Sequence, residues 1–323
     1  MDIRYRTAWI SAVASFLIFI FKIIAFQLTQ SKALMSDALE SIVNVFASLI
    51  ALGVIRYALQ PPDKEHPYGH GKAEFFSAAF EGGMVFFAAL VIIYESAKSL
   101  LESKALLSLQ SGMLWAAGAA VLNLILGLYL RHIGRKHNSG TLQASGAHVL
   151  SDVWTTAGAI VGLALVAWTG MTWIDGVVAL VLGIYLAFTG FSILQDSFSG
   201  LIDAAEPDVL QKLVQAFNKS RESGIIDIHY LRAIRSGSFH HMDAHVIVPE
   251  FWSVSETHDR VNRFETVVVK NYDFDGEIAF HVDPCDRNYC EKCNLSDCPV
   301  RRHPFKAVEP FVLEKIVENP PHS

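Results

Sequence analysis

Long apolar runs separated by short polar segments fill the first two thirds of the chain, and this pattern ends near Leu201. A bilayer core about 30 Å thick requires roughly 20 apolar residues in each spanning helix. Six segments satisfy this requirement, so the sequence predicts six transmembrane helices. These segments are residues 9–28, 33–57, 75–99, 113–131, 142–168 and 173–194.

The chain after residue 203 has the pattern of a soluble domain. An amphipathic stretch at 208–218 precedes two alternating apolar and polar runs, 226–234 and 239–248, which predict strands. Ser253 and Glu256 form a capping box that begins a helix ending near residue 271, and 277–283 is a last strand. The order αββαβ predicts a small, metallochaperone-like α+β domain. We therefore divide the chain into a transmembrane domain, 1–202, a soluble domain, 203–284, and a tail, 285–323.

Composition supports a membrane protein and argues against nucleic acid as a partner. Apolar residues make up 52% of the chain, charged residues 18%, and the mean hydropathy is +0.33. The net charge is −6, and no basic cluster is interleaved with aromatic residues as a nucleic-acid surface would require. No nucleophile-and-base motif is evident, so an enzyme is disfavoured.

Basic residues flank the six segments unequally. By the positive-inside rule this places both termini in the cytoplasm, with the loop 60–72 and everything after residue 194. A bacterial cell membrane fits this arrangement best. The inner side carries Arg4, Arg6, Arg56, Lys64, Lys72, Arg131, Arg135 and Lys136, against Lys32, Lys98 and Lys104 outside.

Ionisable residues inside spanning helices are energetically costly and indicate a functional site. Glu40 and Asn44 lie one turn apart in the second segment, and His148 and Asp152 do so in the fifth. Together they offer one nitrogen and several oxygens, enough for a four-coordinate divalent metal site. The alternative is a buried hydrogen-bond network that only holds the helices together.

Other polar residues in the spans carry weaker signals. Asp37 shares the stripe of Glu40 and Asn44. Lys22 is expected to snorkel to the membrane interface. Glu81 lies deeper in the third segment and is expected to pair with another helix, without an assigned role.

Three further clusters suggest metal binding outside the membrane. The loop after the second segment contains Asp63, Glu65, His66 and His70, which suit zinc or a similar ion, although a polar loop with incidental histidines would look the same. In the soluble domain the candidates are His229, His245, His258, His281 and Asp283. The tail candidates are Cys285, Cys290, Cys293 and Cys298, for which zinc is the first choice and an iron–sulfur site or redox-active thiols are alternatives.

Taken together, these residues resemble the cation diffusion facilitator family, in particular its bacterial zinc and iron efflux branch. The likeness extends from about residue 5 to Cys285. It rests on His148 and Asp152 in the fifth span, on the segment from Arg56 through Lys72, and on the ending from His281 to Cys285.

The resemblance implies a homodimer that exports a divalent cation, most simply Zn²⁺, in exchange for protons. The metal would be both substrate and regulatory ligand, and no organic cofactor is expected. It also implies three sites and an interdomain ion pair. These are a transport site of Glu40, Asn44, His148 and Asp152; a loop site of Asp63, His66 and His70; a binuclear cytoplasmic site of His229, His245, His258, His281 and Asp283; and a Lys72–Asp203 salt bridge that locks the dimer.

One departure from the family pattern affects the choice of metal. Glu40 and Asn44 stand where this branch usually has two aspartates, or a histidine and an aspartate, so the site has two carboxylates instead of three. Fe²⁺, Mn²⁺, Co²⁺ or Cd²⁺ are therefore candidates beside Zn²⁺. The alternative function is a membrane-anchored metal sensor or scaffold whose variant site no longer transports.

Overall fold

The chain folds into two compact units, Met1–Ile202 and Asp203–Ser323. The computed structural model describes residues 3–101, 108–137 and 140–318. Each unit has its own packed interior, with separate apolar clusters in the first unit and a continuous core in the second. The two units are therefore described in turn.

Six helices form the described part of the first unit, and each is long and apolar enough to cross a membrane, as predicted. At 27 to 30 residues and 1.5 Å per residue, they are about 40–45 Å long, the thickness of a bilayer with its headgroups. The predicted segments are shorter because hydropathy marks only the hydrocarbon part of each helix. The helices are α1 Ile3–Thr29, α2 Lys32–Ala58, α3 Ala73–Leu101, α4 Leu109–Lys136, α5 Gly140–Thr169 and α6 Trp173–Leu201.

The outer surface of this helical unit is apolar. Phe87, Leu114 and Trp168 are 69%, 79% and 84% exposed, and many other large apolar side chains project outward in the same way. In water such a surface would be unfavourable, whereas lipid tails solvate it. The arrangement is therefore that of a bundle surrounded by hydrocarbon.

Small residues allow α3 and α6 to approach closely. Gly176, Gly183, Gly190 and Ser197 recur every seven residues along α6 and are buried. A Cβ atom at Gly190 would stand 2.6 Å from the backbone nitrogen of Phe86 on α3. Because neither backbone can yield, only glycine fits there. We call this contact the glycine seam.

Polar contacts hold the N-terminus of α2 in place. The carboxylate of Asp175 on α6 accepts hydrogen bonds from the Ser31 hydroxyl at 2.5 Å and from the backbone nitrogen of Lys32 at 2.6 Å. It thereby satisfies donors that a helix N-terminus leaves free. The Lys32 ammonium lies 3.1 Å from the carboxylate of Glu95 on α3. These contacts fix the depth of α2, which carries Glu40 and Asn44.

The second unit confirms the predicted αββαβ order. Its helices cover one face of a three-stranded sheet with the order β1-β2-β3, in which β1 and β2 are antiparallel and β2 and β3 are parallel. Ser253 accepts a hydrogen bond from the backbone of Glu256, which is half of the predicted capping box. The elements are α7 Pro207–Ser220, β1 Asp227–Ser236, β2 Phe239–Val248, α8 Val254–Asn271 and β3 Asp275–Pro284.

Residues after the third strand pack against this sheet unit. A 3-10 helix, Arg287–Glu291, is followed by an extended segment and a short helix, α9, Leu313–Ile316. Phe311 and Ile316 are buried in the same core as α7 and α8. Asn218 on α7 binds both the backbone oxygen and the backbone nitrogen of Phe311, each at 2.9 Å. The tail is thus part of the interior of the second unit.

The glycine seam gives a test of helix packing. We expect Gly190→Ala to destabilise the protein by about 1–3 kcal/mol, because the added methyl forces two backbones apart. Gly83→Ala on α3 is the matched control, since no atom lies within 4 Å of the Cβ it would add. Thermal unfolding of the detergent-solubilised protein measures the difference. Equal midpoints for the two variants would contradict the seam.

Candidate metal sites

The two polar pairs predicted in the spans come together between α2 and α5. Glu40, His148 and Asp152 each offer a ligand atom within 4.8 Å of the others, and all three residues are buried. Asn44 joins them through hydrogen bonds. All four residues of the predicted transport site therefore form one cluster, which we call the transmembrane cluster.

Asn44 bridges the transmembrane cluster. Its amide nitrogen donates to Asp152 Oδ2 at 2.5 Å, and its amide oxygen lies 2.9 Å from Nε2 of His148. The other faces of the ligands have no hydrogen-bond partner in the described structure, namely Glu40 Oε1, Asp152 Oδ1 and His148 Nδ1. A buried polar atom without a partner is costly. A cation held here would satisfy these atoms, and the transport site stays a prediction.

A second buried group lies beside the cluster. The ammonium of Lys22 on α1 is 2.7 Å from Asp37 Oδ1, and the Thr156 hydroxyl lies 2.9 Å from both oxygens of that carboxylate. Lys22 is 1% exposed, so the expectation that it snorkels to the interface is wrong. Its ammonium also attracts the carboxylates of Glu40 and Asp152. The Lys22–Asp37 pair thus ties α1, α2 and α5 together next to the cluster.

Sequence reasoning missed this pair because its members are on different helices. A signal was available in the spacing. Lys22 lies seven residues before the end of α1 and Asp37 five residues after the start of α2. Residues at such similar distances from a tight turn lie at similar depths in an antiparallel helix pair.

Glu81, to which the sequence assigns no role, reaches the transmembrane cluster from α3. Its Oε1 lies 4.0 Å from Nε2 of His148, and its side chain is 19% exposed. A cavity of about 20 Å³ lies beside these two residues and Asn44. The remaining lining residues are Ser11, Ser15, Ala47, Ser48, Ser145 and Val149.

The loop residues also converge. Asp63 Oδ1 lies 3.3 Å from Nδ1 of His66, and Oδ2 lies 3.3 Å from Nε2 of His70. Backbone N–H groups of His66 and Glu65 donate to Asp63 at 2.7 and 2.9 Å, and these bonds hold the pKa of Asp63 below its ordinary value. The loop therefore presents an ionised carboxylate between two imidazoles, as a divalent metal site requires.

A row of histidines crosses the sheet of the second unit. His229 pairs with His245, and His245 pairs with His281, so the three side chains lie side by side on one face. Asp283 Oδ2 is 2.9 Å from His245 Nδ1 and 3.4 Å from His229 Nε2, and Oδ1 is 3.5 Å from His281 Nε2. Burial lowers the pKa of His229, which favours the neutral form that binds metal.

His258 takes a different position from the other predicted ligands of the soluble domain. It is exposed on α8, a helix whose Val261 and Phe264 pack on the face of the sheet opposite the histidine row. No contact described for His258 joins it to that row. Its role as a ligand stays a prediction, as does the Lys72–Asp203 ion pair, whose members belong to different units.

The tail cysteines are all free thiols, and two of them, Cys290 and Cys293, are buried. Among the described residues, three candidate metal-binding groups have ligand atoms that all lie within 4.8 Å of one another, and none of these groups includes a cysteine. Arg301 organises this segment, because its guanidinium donates to the carbonyls of Cys290, Cys293 and Leu295. Burial raises the pKa of Cys285, whereas a hydrogen bond from the backbone of Arg302 lowers that of Cys290. The four-cysteine site remains a prediction.

Comparisons with known proteins cover both units. A family profile for the cation efflux transmembrane domain matches residues 8–202, and one for the cytoplasmic domain of cation efflux proteins matches 205–285. An uncharacterized transporter of Synechocystis sp. is 35% identical over 266 residues, 82% of this chain and 85% of the relative. The cation-efflux pump FieF of Pectobacterium atrosepticum is 31% identical over 278 residues, 86% and 92% of the two chains. That of Yersinia pestis is 30% identical over 292 residues, 88% and 96%.

The buried Lys22–Asp37 pair gives a stability prediction. Lys22→Met leaves the Asp37 carboxylate without its cation, and we expect a loss of about 3–5 kcal/mol. Lys32→Met is the control, because its partly exposed pair with Glu95 contributes less than about 1 kcal/mol. Unfolding midpoints in detergent report both. The double variant Lys22→Met/Asp37→Leu should recover stability, because it removes the unpaired carboxylate as well. Equal losses of stability in Lys22→Met and Lys32→Met would contradict a structural role for the Lys22–Asp37 pair.

The histidine row gives a binding prediction. We expect His245→Ala to release Zn²⁺ from the second unit, since His245 occupies the centre of the row. His132→Ala, which removes an exposed histidine of α4 in the first unit, is the control. Equilibrium dialysis of the full chain, with bound zinc counted per protein, separates them. Unchanged zinc in His245→Ala would exclude the row as a metal site.

Proposed function

Because this chain belongs to the cation efflux family, known also as the cation diffusion facilitators, we propose that it exports a divalent transition-metal ion through the transmembrane cluster. The chain is a multi-pass membrane protein of that family, with a cytoplasmic domain after residue 202. The proposal concerns the ion, its path and its driving force. The observation that supports it is the convergence of Glu40, His148 and Asp152 around unpaired buried ligand atoms.

The ligands suit Zn²⁺ but do not exclude harder ions. One imidazole nitrogen and two carboxylates give a four-coordinate site with a neutral amide oxygen from Asn44. Fe²⁺, Mn²⁺ and Co²⁺ accept the same oxygen-rich set, and Cd²⁺ is a further candidate. We propose Zn²⁺ as the principal cargo. The names of the FieF relatives describe them as cation-efflux pumps and do not specify which metal they carry.

Protons are the proposed counter-ion. A metal binds imidazole only in its neutral form and carboxyl groups as carboxylates, so metal uptake on the cytoplasmic side displaces protons. When the helices rearrange and expose the cluster outward, protons compete for the same ligands and the metal leaves. An inward proton gradient, with both termini in the cytoplasm of a cell-membrane protein, would then drive export.

The histidine row and the loop cluster are proposed as regulatory metal sites. The cytoplasmic family profile is that of a dimerisation domain, which suggests a homodimer in which these domains pair. Metal bound to the histidine row shifts dimers toward the transport-competent arrangement only if the metal binds that arrangement more tightly than the other one. The sites would then respond to the cytoplasmic metal concentration.

A membrane-anchored sensor is the second candidate, and Asn44 is the observation that favours it. In the structure its amide already satisfies one atom each of His148 and Asp152. A metal that takes the Asn44 oxygen as its fourth ligand must compete with the hydrogen bond between that oxygen and His148. If that cost prevented transport, the cytoplasmic sites would still bind metal.

Flux in proteoliposomes with an imposed pH gradient tests the proposal, with Zn²⁺, Cd²⁺, Fe²⁺, Mn²⁺ and Co²⁺ offered in turn. We expect gradient-dependent transport that Asp152→Ala abolishes, because a ligand and its charge are lost. Asp196→Ala removes an exposed aspartate of α6 and serves as the control. Asn44→Asp should change the order of preference among the ions. Absence of flux for every ion, with zinc still bound to the histidine row, would favour the sensor.

A further inference from the structure

We propose that Glu81 supplies the transport path with a third carboxylate, taking over the negative charge that Asn44 does not provide. This inference rests on the proposed transport function and adds a residue to the same path. It assigns to α3 a direct part in receiving the metal, beside α2 and α5, which carry the transmembrane cluster.

The geometry places Glu81 beside the imidazole of His148, on the side of its Nε2 atom. His148 Nε2 lies 2.9 Å from the Asn44 oxygen and 4.0 Å from Glu81 Oε1. The atom therefore faces an amide oxygen on one side and a carboxylate oxygen on the other. A small movement of the Glu81 side chain would bring its carboxylate into contact with an ion held by His148.

A cavity lies beside these residues, and Asn44, Glu81 and His148 all line it. Its volume of about 20 Å³ holds a water-sized species. Ser11, Ser15 and Ser48 also line this cavity. Because Glu81 is 19% exposed while His148 is only 7% exposed, the carboxylate lies at the more accessible part of this path.

Charge gives the reason for a carboxylate at this position. A divalent ion carries two positive charges, while Asp37 balances the nearby ammonium of Lys22. Asn44 is neutral and Asp37 is paired with Lys22, so α2 and α5 provide the ion with the carboxylates of Glu40 and Asp152. An ionisable residue in a membrane helix is expensive and is retained where it has a partner or a function. Glu81 adds a third carboxylate from α3, the number that an aspartate at position 44 would give the site.

The competing explanation is structural, namely an ion pair between Glu81 and a protonated His148 that only holds α3 to α5. Moving the carboxylate from position 81 to position 44 distinguishes these two explanations. If the number of carboxylates matters, an aspartate at position 44 should compensate for the loss of Glu81. If the contact between α3 and α5 matters, it should not.

The experiment combines Glu81→Gln with Asn44→Asp and measures two quantities. The first is Zn²⁺ and Mn²⁺ flux in proteoliposomes under a pH gradient. The second is binding of the same ions in detergent, in a His66→Ala/His245→Ala background that disables the loop cluster and the histidine row. We expect Glu81→Gln to reduce metal affinity and flux by about tenfold or more. The double variant Glu81→Gln/Asn44→Asp should recover most of both, and Asp196→Asn should behave as wild type.

Each outcome bears on the inference. Unchanged affinity and flux in Glu81→Gln would overturn it, and so would a loss that Asn44→Asp fails to restore, since that result identifies a structural ion pair. Wild-type protein that binds metal in the transmembrane cluster but carries no flux would refute the transport function instead. The binding measurements would still decide the role of Glu81.

Discussion

The cost of holding carboxyl groups inside a lipid-surrounded bundle governs the arrangement of the first unit. Each such group needs a cation or a set of donors. Asp37 has both, in Lys22 and Thr156. Asp175 likewise has donors from the protein, whereas Glu40 and Asp152 each retain a buried oxygen without a hydrogen-bond partner in the described bundle. Function and stability therefore depend on the same electrostatic requirement.

The sequence was sufficient for the fold where periodicity carries the information. Apolar runs predict six helices, and alternation with turn residues predicts the αββαβ unit, because burial of one face determines both patterns. The pairs Glu40–Asn44 and His148–Asp152 were recognisable because each lies on one helix. Contacts between helices have no such local signature, which is why the Lys22–Asp37 pair and the approach of Glu81 to His148 needed the structure.

The second unit shows the same division between local pattern and tertiary placement. His229, His245 and His281 were candidates from residue type, but their alignment depends on strand register, which sequence leaves open. His258 was grouped with them although α8 covers the other face of the sheet. Cysteine spacing suggested a metal site, whereas Arg301 and the packing of Cys293 beside Ile226 and Ile247 account for the conformation of the segment.

The glycine seam has a mechanical consequence. Where Gly190 meets Phe86, two helix backbones are in contact with no side chain between them to absorb displacement, so we expect α3 and α6 to behave as one stiff lever. Glu81 is fixed to this lever, while His148 and Asp152 are fixed to α5, which packs chiefly on α4. Tilting the lever would change the distance between Glu81 and an ion held by His148 and Asp152. Under the proposed transport function, stiffness at the seam would convert a helix motion into a change of metal affinity.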